Sequence, residues 1–248
     1  MIAITQNFIT NRNRPFKNLT QLKGIVIHYT ANYGKGANAD AHRKYIGRDL
    51  TSKNGSPLKV SAHYFVDDSK IIHCVPDKEV AYHCGSGPGL PYTELANEIR
   101  QGKSANDFLI GIEMCVNVDC NWSKTYQNTV DLTAHLLLKY NLTVEKVFRH
   151  FDITHKVCPK MMVEDPALWI QFKNDVYAKT TGMSAITVHS GKVIAKALNV
   201  RKTPVVEQNN LVKTIPHNHV VTIYESKNGW LRIGPNQWVK EDYVSITN

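Results

Sequence analysis

The sequence predicts an α/β domain followed by a small all-β barrel. Up to Lys179, apolar β-type runs alternate with stretches of helical periodicity. Beyond it the helical pattern stops, and short β-type runs follow one another at close spacing, separated by Gly and Pro turns. At 248 residues the chain is long enough for one large domain, or for a large one and a small one.

The first strand is Ile25 to Tyr29, a short apolar run. Asn38 to Ile46 reads as a helix, with Ala39, Ala41, His42 and Tyr45 near helical spacing. Arg48 to Ser61 is polar with Gly and Pro, hence loop. Tyr64-Phe65-Val66 and Ile71 to Val75 form a strand pair around the Asp67-Asp68-Ser69 turn. Gly85 to Asp107 is expected to be a long irregular segment, the kind that often carries function. Leu109 to Val116 is a second buried strand, and Ser123 starts a helix running to Tyr140. Asp165-Pro166 opens the last helix, with Pro where its missing N–H costs nothing and Leu168, Trp169, Phe172 and Val176 as the buried stripe. The predicted division is a domain over residues 1–179, a linker over 180–187 and a barrel over 188–248.

Composition narrows the function classes. The apolar and charged fractions are those of an ordinary globular protein, and no apolar run nears the roughly 18 residues that span a bilayer. The first residues show no basic segment followed by a long apolar one, so no secretory signal is expected. Five cysteines at irregular spacing make a poor disulfide framework and read as free thiols. The net charge of +9, of which residues 183–248 hold +4, favours a polyanionic partner without choosing among nucleic acid, anionic membrane and acidic cell wall.

The chemistry concentrates in two strings. His28 closes the strand Gly24-Ile25-Val26-Ile27-His28-Tyr29, and Arg149-His150-Phe151-Asp152 leads on to Lys156-Val157-Cys158-Pro159. Two imidazoles and a thiolate are the ligand inventory of a catalytic zinc site, which keeps a fourth position for water and so points to hydrolysis. Taken alone, His28 also reads as a core histidine and Cys158 as a small buried residue. Asp152 is placed to orient a ligating imidazole, and Lys156 to stabilise an oxyanion. Glu113 stands in the apolar run Leu109 to Val116, where a carboxylate is costly unless paired or open to a cleft. It is either a strand-end group in water or a general base. His83 precedes the long polar segment and is expected, with Tyr64, to line the substrate cleft. His63, His73 and His155 read as structural or surface residues, and His135 sits inside a helix.

These strings resemble the type 2 N-acetylmuramoyl-L-alanine amidases, which share a fold with peptidoglycan recognition proteins. The carriers are Ile25-Val26-Ile27-His28-Tyr29-Thr30-Ala31, Ser61-Ala62-His63-Tyr64-Phe65-Val66, Val80-Ala81-Tyr82-His83-Cys84-Gly85, Ile110-Gly111-Ile112-Glu113 and the segment from Arg149 to Pro159, in family order. The resemblance, over residues 20–178, implies a mixed central β-sheet flanked by helices with a zinc cleft. It implies zinc ligation by His28, His150 and Cys158, and catalytic roles for Lys156 and Glu113. Other branches of the family use a tyrosine at the position of Ala62, so here Glu113 is favoured. Residues 188–246 resemble a bacterial SH3-type domain through Ala197-Leu198-Asn199-Val200-Arg201, Gly229-Trp230-Leu231 and Trp238-Val239 before Tyr243-Val244. Such domains on wall hydrolases bind peptidoglycan; Trp230 and Trp238 read equally well as core residues.

The expectation is therefore a phage-type endolysin or autolysin relative that uses Zn2+ to cut the amide between N-acetylmuramic acid and L-alanine. Its partner is peptidoglycan, with no nucleic acid, no membrane insertion and a monomeric state. It would accumulate in the host cytoplasm and act at the wall after release. Two rivals are a non-catalytic peptidoglycan sensor and a wall peptidase using Cys158 as nucleophile with His150. Retention of Glu113, Lys156 and Cys158 argues against the first, and Pro159 directly after the cysteine against the second.

Overall fold

The strands of the first part of the chain assemble into a single mixed sheet. The computed structural model describes residues 2–87, 89–182, 189–234 and 237–247. In chain order the elements are β1 (Ile4–Gln6), β2 (Gly24–Tyr29), α1 (Ala39–Ile46), β3 (Tyr64–Val66), β4 (Ile71–His73), α2 (Glu94–Arg100), β5 (Leu109–Met114), α3 (Trp122–Lys139), β6 (Val147–Arg149), α4 (His150–Thr154), α5 (Lys160–Glu164) and α6 (Pro166–Thr181). The sheet order is β1-β4-β3-β5-β2-β6. Only the β3/β4 hairpin is antiparallel; the other neighbours run parallel. The central strands β2 and β5 are apolar on both faces because helices cover both.

Register decides which residues share a face, because side chains alternate along each strand. His28 pairs with Glu113, and Glu113 with Phe65, so these three lie in one row on one face. On that face Val26, Leu109 and Phe148 pack with Ala96 and Ile99 of α2 and Ile153 of α4. Ile27, Ile112, Tyr64 and His73 form the next row, on the opposite face.

The segment expected to be irregular from Gly85 to Asp107 contains α2 and a 3-10 turn at Ala105–Asp107. The signals were local: the Thr93 side chain accepts from Ala96 N as an N-cap, and Ala96 and Ile99 give the buried face. The helix predicted from Ser123 begins one residue earlier and is capped by Asn121. Phe172 and Val176 are buried as expected on α6, while Leu168 and Trp169 are half-buried. β1, α4 and α5 are too short to leave a periodic signature.

Asp77 ties the Tyr64 face together. Its Oδ1 accepts from Tyr64 Oη at 2.6 Å and lies 3.0 Å from His73 Nε2; its Oδ2 accepts from Lys139 Nζ at 2.8 Å and Tyr140 Oη at 2.6 Å. Burial pushes the carboxyl up, but the bonds from His73, Lys139, Tyr140 and Tyr64 together outweigh it and hold it below the usual carboxylate range. A carboxylate so depressed contributes stability above its unfolded value and loses it as pH falls below about 4. Asp77→Ala is expected to lower unfolding stability by about 3–5 kcal/mol, because it strands buried polar partners. Urea titrations at pH 7 and pH 3 check both points: the gap between parent and mutant should be narrower at pH 3 than at pH 7, but not closed, because the native carboxylate is still ionised there.

The chain divides into two compact units, Met1–Trp169 and Ile170–Asn248. The division falls inside α6, earlier than the expected domain end at residue 179. In the second unit Arg232 lies over the Tyr177 ring at 5.1 Å. Of the expected linker, Thr180 and Thr181 close α6, and residues 183–187 lie outside the described ones.

The second unit carries β7 (His189–Val193), β8 (Ala197–Arg201), β9 (Leu211–Pro216), β10 (Val220–Ile223), β11 (Glu225–Lys227), β12 (Trp230–Gly234), β13 (Gln237–Lys240) and β14 (Val244–Thr247). They form a three-stranded sheet, β10-β7-β14, and a five-stranded one, β11-β12-β13-β8-β9, antiparallel throughout. Val193, Leu198, Val200, Ile223, Leu231 and Val239 are among the side chains that fill the core. A Cβ on Gly191 would come within 2.4 Å of Val244 Cγ1, so this close packing requires glycine. Trp230 is buried and Trp238 half-buried.

Candidate metal centre

Three separate pieces of chain bring the ligands together. His28 lies next to last in β2. His150 opens α4 directly after β6, and β6 pairs with β2, which carries His150 to His28 across 122 residues of sequence. α4 ends at His155 in the left-handed region, and the chain folds back so that Phe151 N donates to Cys158 O at 3.0 Å. That return delivers Cys158 to the start of the same helix. His28 Nδ1 lies 3.1 Å from His150 Nδ1 and 3.7 Å from Cys158 Sγ. The three side chains are buried, and their ligand atoms all fall within 4.8 Å of one another.

The hydrogen bonds behind His28 assign its tautomer. His83 Nε2 is 3.0 Å from Leu109 O, a carbonyl that can only accept, so Nε2 carries the proton. Burial holds His83 well below the usual histidine range and hence neutral. Its Nδ1 is then an acceptor, and His28 Nε2 donates to it at 3.0 Å. That leaves the lone pair of His28 on Nδ1, the atom facing His150 and Cys158. The ring of His83 fits only because residue 111 is glycine: a Cβ there would lie 2.6 Å from its Cγ and Nδ1. Gly111 Nα in turn donates to His63 Nδ1 at 3.0 Å.

The donor set fits a zinc ion. It offers two neutral imidazoles and a thiol, converging in a buried spot. Burial, with the Glu113 charge second, pushes the Cys158 thiol up to about 12. Without a cation it is therefore a thiol, and coordination is what makes it a thiolate. The same buried setting is the reverse of what a cysteine nucleophile needs.

Glu113 stands beside His28 on the neighbouring strand, and its Oε2 is buried with no hydrogen-bond partner among the described residues. Burial raises its carboxyl to about 7, against a smaller opposing pull from Lys156. Lys156 is exposed on the return loop, and its charge also acts on His28 and His150. One face of the sheet thus collects His28, His150, Cys158, Glu113 and Lys156.

Three expected residues are placed differently. Tyr64 lies on the other face of the sheet, 1% exposed, with its hydroxyl on Asp77 and its ring stacked on His73 at 4.3 Å, so it is not placed to touch substrate. Asp152 does not orient an imidazole; its carboxylate is taken by Arg149 at 2.7 Å and by the backbone N–H that starts α4. His83, expected in the cleft wall, sits behind His28 instead. Gly111 stands inside β5, and a glycine inside a strand is itself a sign of close approach.

Support of this kind typically carries about 10–100-fold in metal affinity. Both His83→Ala and Gly111→Ala are therefore expected to weaken zinc binding by that range, although neither residue touches the metal. Competition with a chromophoric chelator measures it. Unchanged affinity in Gly111→Ala would show that the position of the His83 ring is irrelevant.

A model of the N-acetylmuramoyl-L-alanine amidase family matches residues 18–161, which contain all five of these side chains. The chain is 36% identical over 193 residues to N-acetylmuramoyl-L-alanine amidase BlyA of Bacillus subtilis (strain 168), covering 74% of this chain and 49% of that one. It is 34% identical over 212 residues to N-acetylmuramoyl-L-alanine amidase CwlL of Bacillus licheniformis, covering 79% and 55%. The chain thus spans about half the length of these curated relatives. Among solved structures, the catalytic domain of XlyA is similar with a TM-score of 0.57 at 29% identity, covering 71% of this chain and 99% of that one. A mutant endolysin from Bacillus subtilis is similar with a TM-score of 0.56 at 31% identity, with the same coverage.

Proposed function

The chain belongs to the N-acetylmuramoyl-L-alanine amidase family, and on that premise we propose that it hydrolyses the amide joining N-acetylmuramic acid to L-alanine in peptidoglycan. The observation that carries the reading is the buried His28, His150 and Cys158 cluster with an unpartnered carboxylate beside it. A zinc ion held by those three residues would supply Lewis acidity and lower the pKa of water at the scissile bond.

The side chains do the rest. Glu113 Oε2 accepts the proton of the attacking water, and a carboxyl near 7 can then pass it to the departing L-alanine nitrogen. Lys156 Nζ places a positive charge where the amide oxygen becomes negative. His83 holds the His28 ring in one tautomer throughout.

The second unit is the wall-binding module of this reading, an SH3-type barrel that keeps the enzyme on its polymeric substrate. A 450 Å³ groove lined by Arg201, Trp230, Lys240, Asp242 and Tyr243 supports it. Charges of both signs beside aromatic rings suit a peptide better than a uniform polyanion. No helix among the described residues is long and apolar enough to cross a membrane. Release of the chain onto the wall as an endolysin completes the proposal.

Digestion of purified sacculi tests the chemistry. New N-terminal L-alanine, with intact sugar reducing ends by mass spectrometry, is expected, and a chelator should abolish it. Chelator-resistant cleavage of a peptide–peptide bond would replace this reading with the cysteine peptidase.

A further inference from the structure

The charge of the second unit is lopsided. Residues 183–224 hold five Lys and Arg against Glu207 alone, whereas residues 225–248 hold three of each sign. The net charge of the unit therefore sits on the half that forms β7 to β10. Register gathers much of it at one corner. Val193 N donates to His219 O at 2.9 Å, and Asn218 N donates to Val193 O at 2.8 Å. Beside them Lys192 of β7 pairs with Val220 of β10. On the next ladder Ala197 pairs with Pro216, and one step further His217 N donates to Lys196 O at 3.1 Å. His217 Nδ1 donates to Ile194 O at 3.1 Å, since a carbonyl can only accept, which pins the ring and leaves Nε2 open. Lys213 extends the corner along β9, the outer strand of its sheet.

Lys192, Lys196, Lys213, His217 and His219 are all exposed. None of the three ammonium groups has an ion pair among the described residues. None of the five residues lines the groove next to Trp230, so this is a separate surface. A concentration of unneutralised cations attracts a polyanion and binds it by releasing its counterions. The surface gives a nucleobase nothing to stack on: residues 189–223 contain no Phe, Trp or Tyr. Proteins that hold single-stranded nucleic acid combine such charge with aromatic platforms. A phosphodiester polymer built on simple polyols asks for the charge alone.

We propose that this corner binds an anionic polyol-phosphate polymer of the wall, with Lys192 and Lys196 neutralising its phosphates. The choice of a wall polymer rests on the amidase reading, which places the chain on peptidoglycan. The second unit would then hold the wall through two surfaces of different chemistry. The groove takes a ligand by shape, and the corner takes one by charge. Only the second hold weakens steeply with salt, because only it releases counterions.

Binding of the full chain to soluble poly(glycerol phosphate), and to walls before and after hydrofluoric acid strips their phosphodiester polymers, tests it. The soluble polymer should bind, and stripping should weaken the hold on walls. Lys192→Gln combined with Lys196→Gln should lower affinity for the polymer by about two- to thirtyfold, the size of two exposed charge contacts. It should also flatten the slope of log affinity against log salt by roughly 1 per lysine. Lys53→Gln combined with Lys227→Gln removes the same charge from exposed positions elsewhere, and should leave affinity within about twofold of the parent because separated surface charges are screened. Equal losses in the two double variants would reduce the corner to net charge, and stripped walls that bind as well as intact ones would remove the polymer. Either result overturns the inference. So does tighter binding, at equal phosphate, of a single-stranded oligonucleotide or of phosphatidylglycerol vesicles. Release of N-terminal L-alanine from the stripped sacculi reports separately on the amidase reading. It is expected in the parent and in both double variants, and its absence overturns that reading without touching the measured hold on the polymer.

Discussion

Replacing Cys158 with Ser is expected to strip zinc from the protein and abolish turnover, a larger loss than the roughly 10–100-fold of changes behind the ligands. A hydroxyl cannot replace the thiolate as a soft, anionic ligand. The test pairs metal content with activity. The parent, emptied by a chelator, should recover on adding zinc, and the mutant should not. Cys158 is 2% exposed, so the mutant's melting curve should be compared with that of the emptied parent, which lacks the same metal. An active, zinc-free Cys158→Ser protein would remove the metal from the mechanism.

Glu113→Gln separates catalysis from metal binding. It should keep one zinc per chain and lose about 10²–10⁴-fold in turnover, the usual contribution of a positioned acid–base group. As a base the carboxylate works deprotonated, so the parent's rate is present above the group's value and falls away below it. Burial places that value at about 7, and a bound cation draws it lower, so the acid limb is expected at or below pH 7 and is absent in the mutant. Stability should move the opposite way. A carboxyl raised by burial weakens the fold as pH climbs from its unfolded value near 4.5 through 7. The isosteric amide avoids that loss, so the metal-free mutant should be more stable than the metal-free parent at pH 8, by on the order of 3 kcal/mol. The difference should close below pH 4.5. A mutant that loses both turnover and zinc would instead make Glu113 part of the ligand scaffold.

Sequence alone determined what is written locally along the chain. The apolar runs of β2 and β5 needed only their own residues to be read, as did the helical run from Asn38 to Ile46 and Pro166 at the start of α6. The ligand set was also legible, because few residue types bind zinc and the strings around His28, His150 and Cys158 are distinctive. Tertiary structure alone decided which residues meet. Tyr64 and Phe65 are neighbours in sequence, yet the pleat sends Phe65 to the row of Glu113 and Tyr64 to Asp77 on the other face. One position of register separates a cleft residue from a core residue, and register is a property of two strands at once. The same holds for His83, whose place behind His28 depends on the missing side chain of Gly111 on a third segment. It holds again for Asp152, which the short helix α4 turns toward Arg149 and away from the metal ligands. Local preference acts through neighbours on the chain, whereas a hydrogen bond or a metal ligand acts through distance in space, and only the folded sheet sets that distance.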